Sequence, residues 1–227
     1  MKKTTTILCL GIALCMLGCS DDDDQVTTTS TVPFSLTASL SPRSSDAEDT
    51  GILQGNWDAN SQLAVIKTGS SGVPKSILTR KTDSSDTFTG NLSTLVKNEN
   101  EIAVFYPAAA ITANSSDTLT QTLNLSGQDG TLAGITNYDY LWAQCKAGMN
   151  ETTGSSACEM TSLVTIGKFQ FTVNGGSPLN NITRITITAT AGTLYSSVVM
   201  KLKNGEFSST QTGNITIKNK AGISGTT

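Results

Sequence analysis

The sequence predicts an all-β protein of β-sandwich type, and three observations predict it. Apolar and polar residues alternate with period 2 in one segment after another, as in strands that bury a single face. Gly, Pro, Asn and Asp punctuate the chain at roughly the 8–12-residue spacing of turns between short strands. No window sustains the period of an amphipathic helix. Composition agrees. Of 227 residues, 37% are hydrophobic and only 15% are charged, with Thr, Ser and Gly abundant. That is enough apolar surface for a core and too little charge for a disordered chain.

Taken in order, the first strand is Val32 to Leu40, where Val32, Phe34, Leu36, Ala38 and Leu40 alternate with polar residues. Pro33 cannot donate to a ladder, so it belongs at a strand start or a sheet edge. Ser41 to Gly51 reads as a polar loop. Leu63 to Lys67, Ile77 to Lys81 and Thr87 to Leu92 read as short strands, with a turn over Gly69 to Pro74. Glu101 to Tyr106 is a continuous apolar run, as expected of a strand buried on both faces. Leu119, Leu123 and Leu125 alternate, with Gln121 on the same face. The turn Gly127 to Gly130 precedes an aromatic-rich strand, Tyr138 to Ala143. Leu163 to Val173, Ile182 to Ala189, Val198 to Leu202 and Ile215 to Ile217 complete the set, with Asn204-Gly205 as a hairpin turn. Asn219 to Thr227 reads as a polar tail.

The N-terminus is a targeting signal. Lys2 and Lys3 precede an apolar run from Ile7 to Leu17, too short for a hydrocarbon core that takes about 20 helical residues but suited to a secretory h-region. Met16-Leu17-Gly18-Cys19 resembles a bacterial lipobox, which implies acylation of the Cys19 thiol and cleavage before it. Several acyl chains on one residue meet the requirement for a stable anchor. Ser20, Asp21, Asp22, Asp23 and Asp24 follow. Physically this is a solvated acidic spacer. It also resembles the Ser-plus-acidic surface-export signal of Bacteroidetes lipoproteins. Four adjacent carboxylates on a tether are poorly preorganised for the many oxygens that calcium requires.

The expected organisation is a signal peptide over 1–18, an acylated cysteine and tether over 19–31, a β-sandwich over 32–160 and a second β-domain over 161–227. About four strands make a thin second sandwich. Either that domain is incomplete in this chain or it borrows strands from the first.

Several landmarks then resemble the Bacteroidetes fimbrillin family. They are Trp57 ahead of Leu63-Ala64-Val65, Phe88-Thr89-Gly90, and Phe105-Tyr106-Pro107-Ala108. The run from Leu123 to Leu132, which leads into Tyr138-Asp139-Tyr140-Leu141-Trp142-Ala143, adds to them. Their order and spacing carry the resemblance, over about Val32 to Ile217. It implies two transthyretin-like β-sandwich domains, the second apparently incomplete here. It further implies export as an outer-membrane lipoprotein and a role as subunit, anchor or tip of a surface pilus. Members polymerise by strand exchange with other pilus subunits after an extracellular protease cuts behind an arginine. Arg43 stands in the loop after the first strand, where such a cut would release Val32 to Leu40. Read without the family, it is a surface arginine in a loop. The segment Lys218 to Thr227 departs from the family's apolar donor strand, having only Ala221 and Ile223.

Other candidate sites are fewer. Cys145 and Cys158 are the only cysteines beyond the signal and anchor. They are set around an expected loop, and in an exported chain they are either a disulfide or two free thiols. Asp117-Thr118-Leu119 resembles the O-glycosylation signal of Bacteroidetes exported proteins and marks Thr118. Trp57, Tyr138, Tyr140 and Trp142 make either a sugar-stacking face or core packing. The former would suit a non-polymerising lipoprotein that binds host or bacterial surface glycans. The chain has no histidine and a net charge of −3. Ser-His-Asp and Cys-His catalysis are thereby excluded, and no basic patch invites nucleic acid. No catalytic residue, cofactor or metal is expected. Asp58, Asp129 and Asp139 fall where Asp serves turns and strand ends.

Overall fold

A computed structural model describes residues 30–40, 57–69, 72–82, 86–112, 120–129, 134, 137–164, 179–191 and 193–225. The fold is all-β, with almost no helix among the described residues; a short 3-10 turn spans Ala108–Ala110. Its first body contains β1 (Thr31–Leu40), β2 (Gln62–Lys67), β3 (Ser76–Arg80), β4 (Thr87–Ser93) and β5 (Glu101–Tyr106). β7 (Leu141–Lys146), the short β8 (Gly148–Met149) and β9 (Gly154–Ser162) complete it. The order is β1-β4-β3-β2-β5-β7-β9, with β8 on β9. β1 also pairs with β9, so seven strands close into a barrel-like sheet.

The closing pair is parallel, running from Phe34↔Gly154 to Leu40↔Met160. On its other side β1 is antiparallel to β4, from Thr31↔Ser93 to Thr37↔Thr87. β1 is therefore no edge. Pro33 sits at the strand start, opposite Asn91 of β4 and before the ladder to β9 begins. Its missing N–H is harmless there.

The first core lies inside this sheet. Phe34, Leu36, Leu63, Leu78, Phe88 and Val104 are among its fully enclosed members. β5 is buried on both faces, as its unbroken apolar run foretold. Its alternate residues Ala103 and Phe105 point the other way, into a second core. That core is shared with a separate sheet of β6 (Thr120–Asn124), β11 (Tyr195–Lys201) and β12 (Phe207–Thr212), ordered β12-β11-β6. Leu123, Val198 and Met200 pack there against Ala64, Ile66 and Phe105. Although β6 precedes β7 in the chain, its ladder is to β11, with Leu123 opposite Val198. The second sheet thus takes β6 from within the 32–160 segment, ahead of β7 in the chain.

β10 (Leu179–Ile187) and β13 (Ile215–Gly225) form a two-stranded antiparallel ladder, with Ile185↔Ile217 in its regular part. β13 corrects the reading of Asn219 onward as a polar tail: the strand continues to Gly225, because pairing with β10 outweighs weak local propensity. The cysteine region is corrected too. The expected loop between Cys145 and Cys158 holds β8 and the start of β9, and the cysteines themselves lie on β7 and β9.

Candidate functional site

The feature with most capacity to act is the place that β1 occupies. Its ten residues alternate in burial, with Val32, Phe34, Leu36 and Ala38 inward and their neighbours largely outward. Leu36 and Ala38 have no exposed surface. Period-2 geometry puts these four on one face, and Phe34, Leu36 and Ala38 pack in the barrel core. Burying side chains of this size contributes about 1.5–3 kcal/mol each for the larger ones. β1 carries no charged residue.

Backbone and side-chain bonds fix both ends. At the start, the Thr94 amide donates to the Ser30 carbonyl at 2.9 Å, and the Thr94 hydroxyl reaches the same oxygen at 3.1 Å. Towards the other end, Ala38 donates its amide to the Asp86 carbonyl at 2.9 Å. The Trp57 indole Nε1 donates to the Ala38 carbonyl at 2.7 Å. The Trp57 carbonyl in turn accepts from Arg80 Nη1 at 2.6 Å. The Ser39 hydroxyl donates to the Cys158 carbonyl at 3.3 Å.

Glycines stand on both sides of Phe34. Phe34 stands opposite Gly90 on β4 and Gly154 on β9. A Cβ at Gly154 would lie 2.6 Å from Phe34 Cδ2 and would also collide with Met149 Sδ. A Cβ at Gly90 would lie 2.6 Å from the Ile77 carbonyl and 2.8 Å from Leu78 Cδ2. Sequence reading did not single out Gly154. Its signal was a glycine at the start of a strand-forming stretch, where another group approaches the backbone closely.

The aromatic residues weighed as a glycan platform are mostly interior. Trp57 is 3% exposed and packs edge-on against Phe88 and Tyr106, with ring centroids 5.0 and 5.2 Å apart. Tyr140 is buried in the second core, and its hydroxyl donates to the Asn124 carbonyl at 2.9 Å. Burial, then the neighbouring Tyr138, pushes the Tyr140 phenol above its ordinary value. Trp142 packs against the same core, with its ring directly under Gly205 of the β11–β12 turn. The strand begins only at Leu141, so Tyr138 and Tyr140 precede it and the three rings do not form one exposed strand face.

Of the other named residues, Cys145 and Cys158 come together as facing thiols. Cys19, Ser20 to Asp24, Arg43 and Thr118 lie outside the described residues. Asp58 is exposed and precedes β2, while Asp139 is fully buried just before β7. Among the described residues no three His, Cys, Asp or Glu side chains are grouped as metal ligands.

No family model matches the chain, and no curated protein matches it. One solved structure it resembles is a Bacteroides ovatus protein provisionally described as a cell adhesion protein. The TM-score is 0.45 at 14% identity, covering 86% of this chain and 76% of that one.

Proposed function

We propose that this chain is a surface-exposed outer-membrane lipoprotein of the fimbrillin type, a structural or adhesive component of a pilus that serves as subunit, anchor or tip. Two transthyretin-like sandwiches belong to the same reading. The observation that carries it is β1, an uncharged strand of ten residues held by ladders on both sides, with its apolar face enclosed. Arg43 follows its last residue, Leu40, by a few positions.

A cut behind Arg43 would sever β1 from the rest of the fold. Its departure would expose the backbone of β4 and β9 and an apolar groove between them. An open groove of that kind accepts an extended segment by β-augmentation, with alternate side chains filling the vacated positions. A donor from another subunit would need an apolar residue at every second position and a large one opposite Gly154. The tether from the acylated Cys19 would leave with β1, so cutting would also release the fold from the membrane. The glycan-binding alternative draws less support, since Trp57 and Tyr140 are interior.

The test is arginine-specific proteolysis of the full chain and of an Arg43→Ala variant, sized by light scattering. Cleavage behind Arg43 that yields a ladder of oligomers in the wild type alone is the expected result. A cleaved wild type that keeps β1 and stays monomeric would rule out strand exchange.

A further inference from the structure

Cys145 on β7 and Cys158 on β9 occupy opposed positions on antiparallel neighbours. β7 and β9 are paired at Leu141↔Ser162 and Trp142↔Thr161. Beyond the cysteines, β8 and β9 are paired at Gly148↔Ser155 and Met149↔Gly154. Both ladders follow one register, and that register sets Cys145 opposite Cys158. The two residues therefore lie in a gap bracketed by paired backbone, with both side chains against the first core. Facing Cα atoms on antiparallel strands are roughly 4.5–5.5 Å apart, which falls inside the roughly 4.4–6.8 Å span of disulfides.

The side chains are in contact. The two thiols influence one another's ionisation. The Ser156 hydroxyl donates to the Lys146 carbonyl at 2.7 Å and stands 3.3 Å from Cys145 Sγ. Met160 Sδ lies 3.8 Å from Cys158 Sγ. Both thiols are free in this structure.

We propose that Cys145 and Cys158 are a built-in oxidation site whose product is a cross-strand disulfide fastening β9 to β7. The reaction is thiol–disulfide exchange with a small-molecule or protein disulfide. The Cys145 thiolate attacks one sulfur of that reagent, forms a mixed disulfide and expels a thiolate. Cys158 then loses its proton to solvent and attacks Cys145 Sγ, expelling the second thiolate. The two cysteines give up two electrons, and the reagent disulfide is reduced to two thiols. The order of attack follows from the environment. Interaction with Cys158, helped by Ser156, brings Cys145 down to about 7 against the cost of burial, and interaction with Cys145 together with burial pushes Cys158 up.

The bond would act where the backbone does not. β9 closes the barrel onto β1, yet its ladder to β7 is formed only at Leu141 and Trp142. A link at Cys158 would hold that wall of the slot independently of β1. The proposal does not depend on polymerisation or on the membrane anchor.

The test uses the full chain, oxidised with glutathione disulfide or reduced with dithiothreitol, then denatured, alkylated and digested with trypsin. Lys146 lies between the two cysteines, so cleavage there leaves them on separate peptides that stay joined only through the disulfide. The map also separates them from Cys9, Cys15 and Cys19. The expected result is a reductant-sensitive linked peptide from monomeric protein, with an unfolding midpoint raised by roughly 5–10 °C over the reduced form. Cys145→Ser and Cys158→Ser should each abolish the shift. Recovery of both residues alkylated after oxidation would overturn the proposal. So would a glutathione adduct left standing on Cys145, linkage only between molecules, or equal midpoints in the oxidised and reduced wild type.

Discussion

The ring of Phe34 on β1 fills the space that a side chain at Gly154 on β9 would need. Two strands far apart in sequence are thereby matched at one point, a large residue against none. The match sits where the parallel ladder begins, so it sets the register in which the barrel closes. A Cβ at Gly154 would force Phe34 or its own strand to move. Met149, the other neighbour, ends in a flexible thioether and yields more easily.

Gly154→Ala should therefore destabilise the protein by about 1–3 kcal/mol through overpacking. Hydrogen exchange should show the loss concentrated in β1, with β2 and β5 nearly unchanged. A midpoint equal to wild type would mean that the ring has room to move aside.

Trp57→Phe tests how the far end of β1 is fastened. A smaller aromatic ring remains, but the donor to the Ala38 carbonyl is lost. A buried acceptor left unsatisfied costs about 1–3 kcal/mol. Amides near Ala38 should exchange faster than those near Val32. Uniform loss across the barrel would point instead to Trp57 packing with Phe88 and Tyr106.

Gly205→Ala should loosen the second sheet from the barrel. Gly205 has a φ of +70°, and a Cβ there would lie 2.7 Å from Trp142 Cδ2. Backbone strain at a non-glycine residue costs about 1–3 kcal/mol before the clash is counted. A shift in Trp142 fluorescence with little change in β1 exchange is expected, and an unchanged spectrum would refute the contact.

Alkaline stability should depend on Tyr140. Its folded-state pKa is raised above the ordinary 10.0 by burial, then by Tyr138. At a pH above that ordinary value the unfolded chain has released the proton and the folded one retains it. Stability therefore falls as pH rises from 10 through the raised folded value, and the contribution is complete below 10. Tyr140→Phe removes the titration and should flatten this part of the profile, which urea titrations at stepped pH will read. A parallel fall in both proteins would exclude Tyr140.

Much of the strand content was readable because burial on one face leaves a period-2 trace in any sequence. Val32 to Leu40 shows it cleanly, and β1 is where that pattern lies. Glu101 to Tyr106 lacks alternation because β5 is covered twice, by the barrel core and by the second core. β13 was underestimated past Ile217, since Asn219 and Gly222 are poor strand formers and only β10 makes that stretch a strand. Cys145 and Cys158 were named from the sequence, but their opposition on two strands was hidden behind an apparent loop.

The sequence alone determined the class of the fold, the inward faces of β1 and β6 and the proximity of two cysteines along the chain. These are local properties, written in alternation and spacing. Only the tertiary structure decided which strands pair. β1 meets β9 across a wide gap in sequence, as in the Ser39–Cys158 hydrogen bond 119 positions apart. β6 leaves its sequence neighbours for β11. Such pairings depend on what the other strands leave exposed once the chain has collapsed. A glycine such as Gly154 acquires its meaning only when Phe34 arrives from the opposite end of the barrel's sequence.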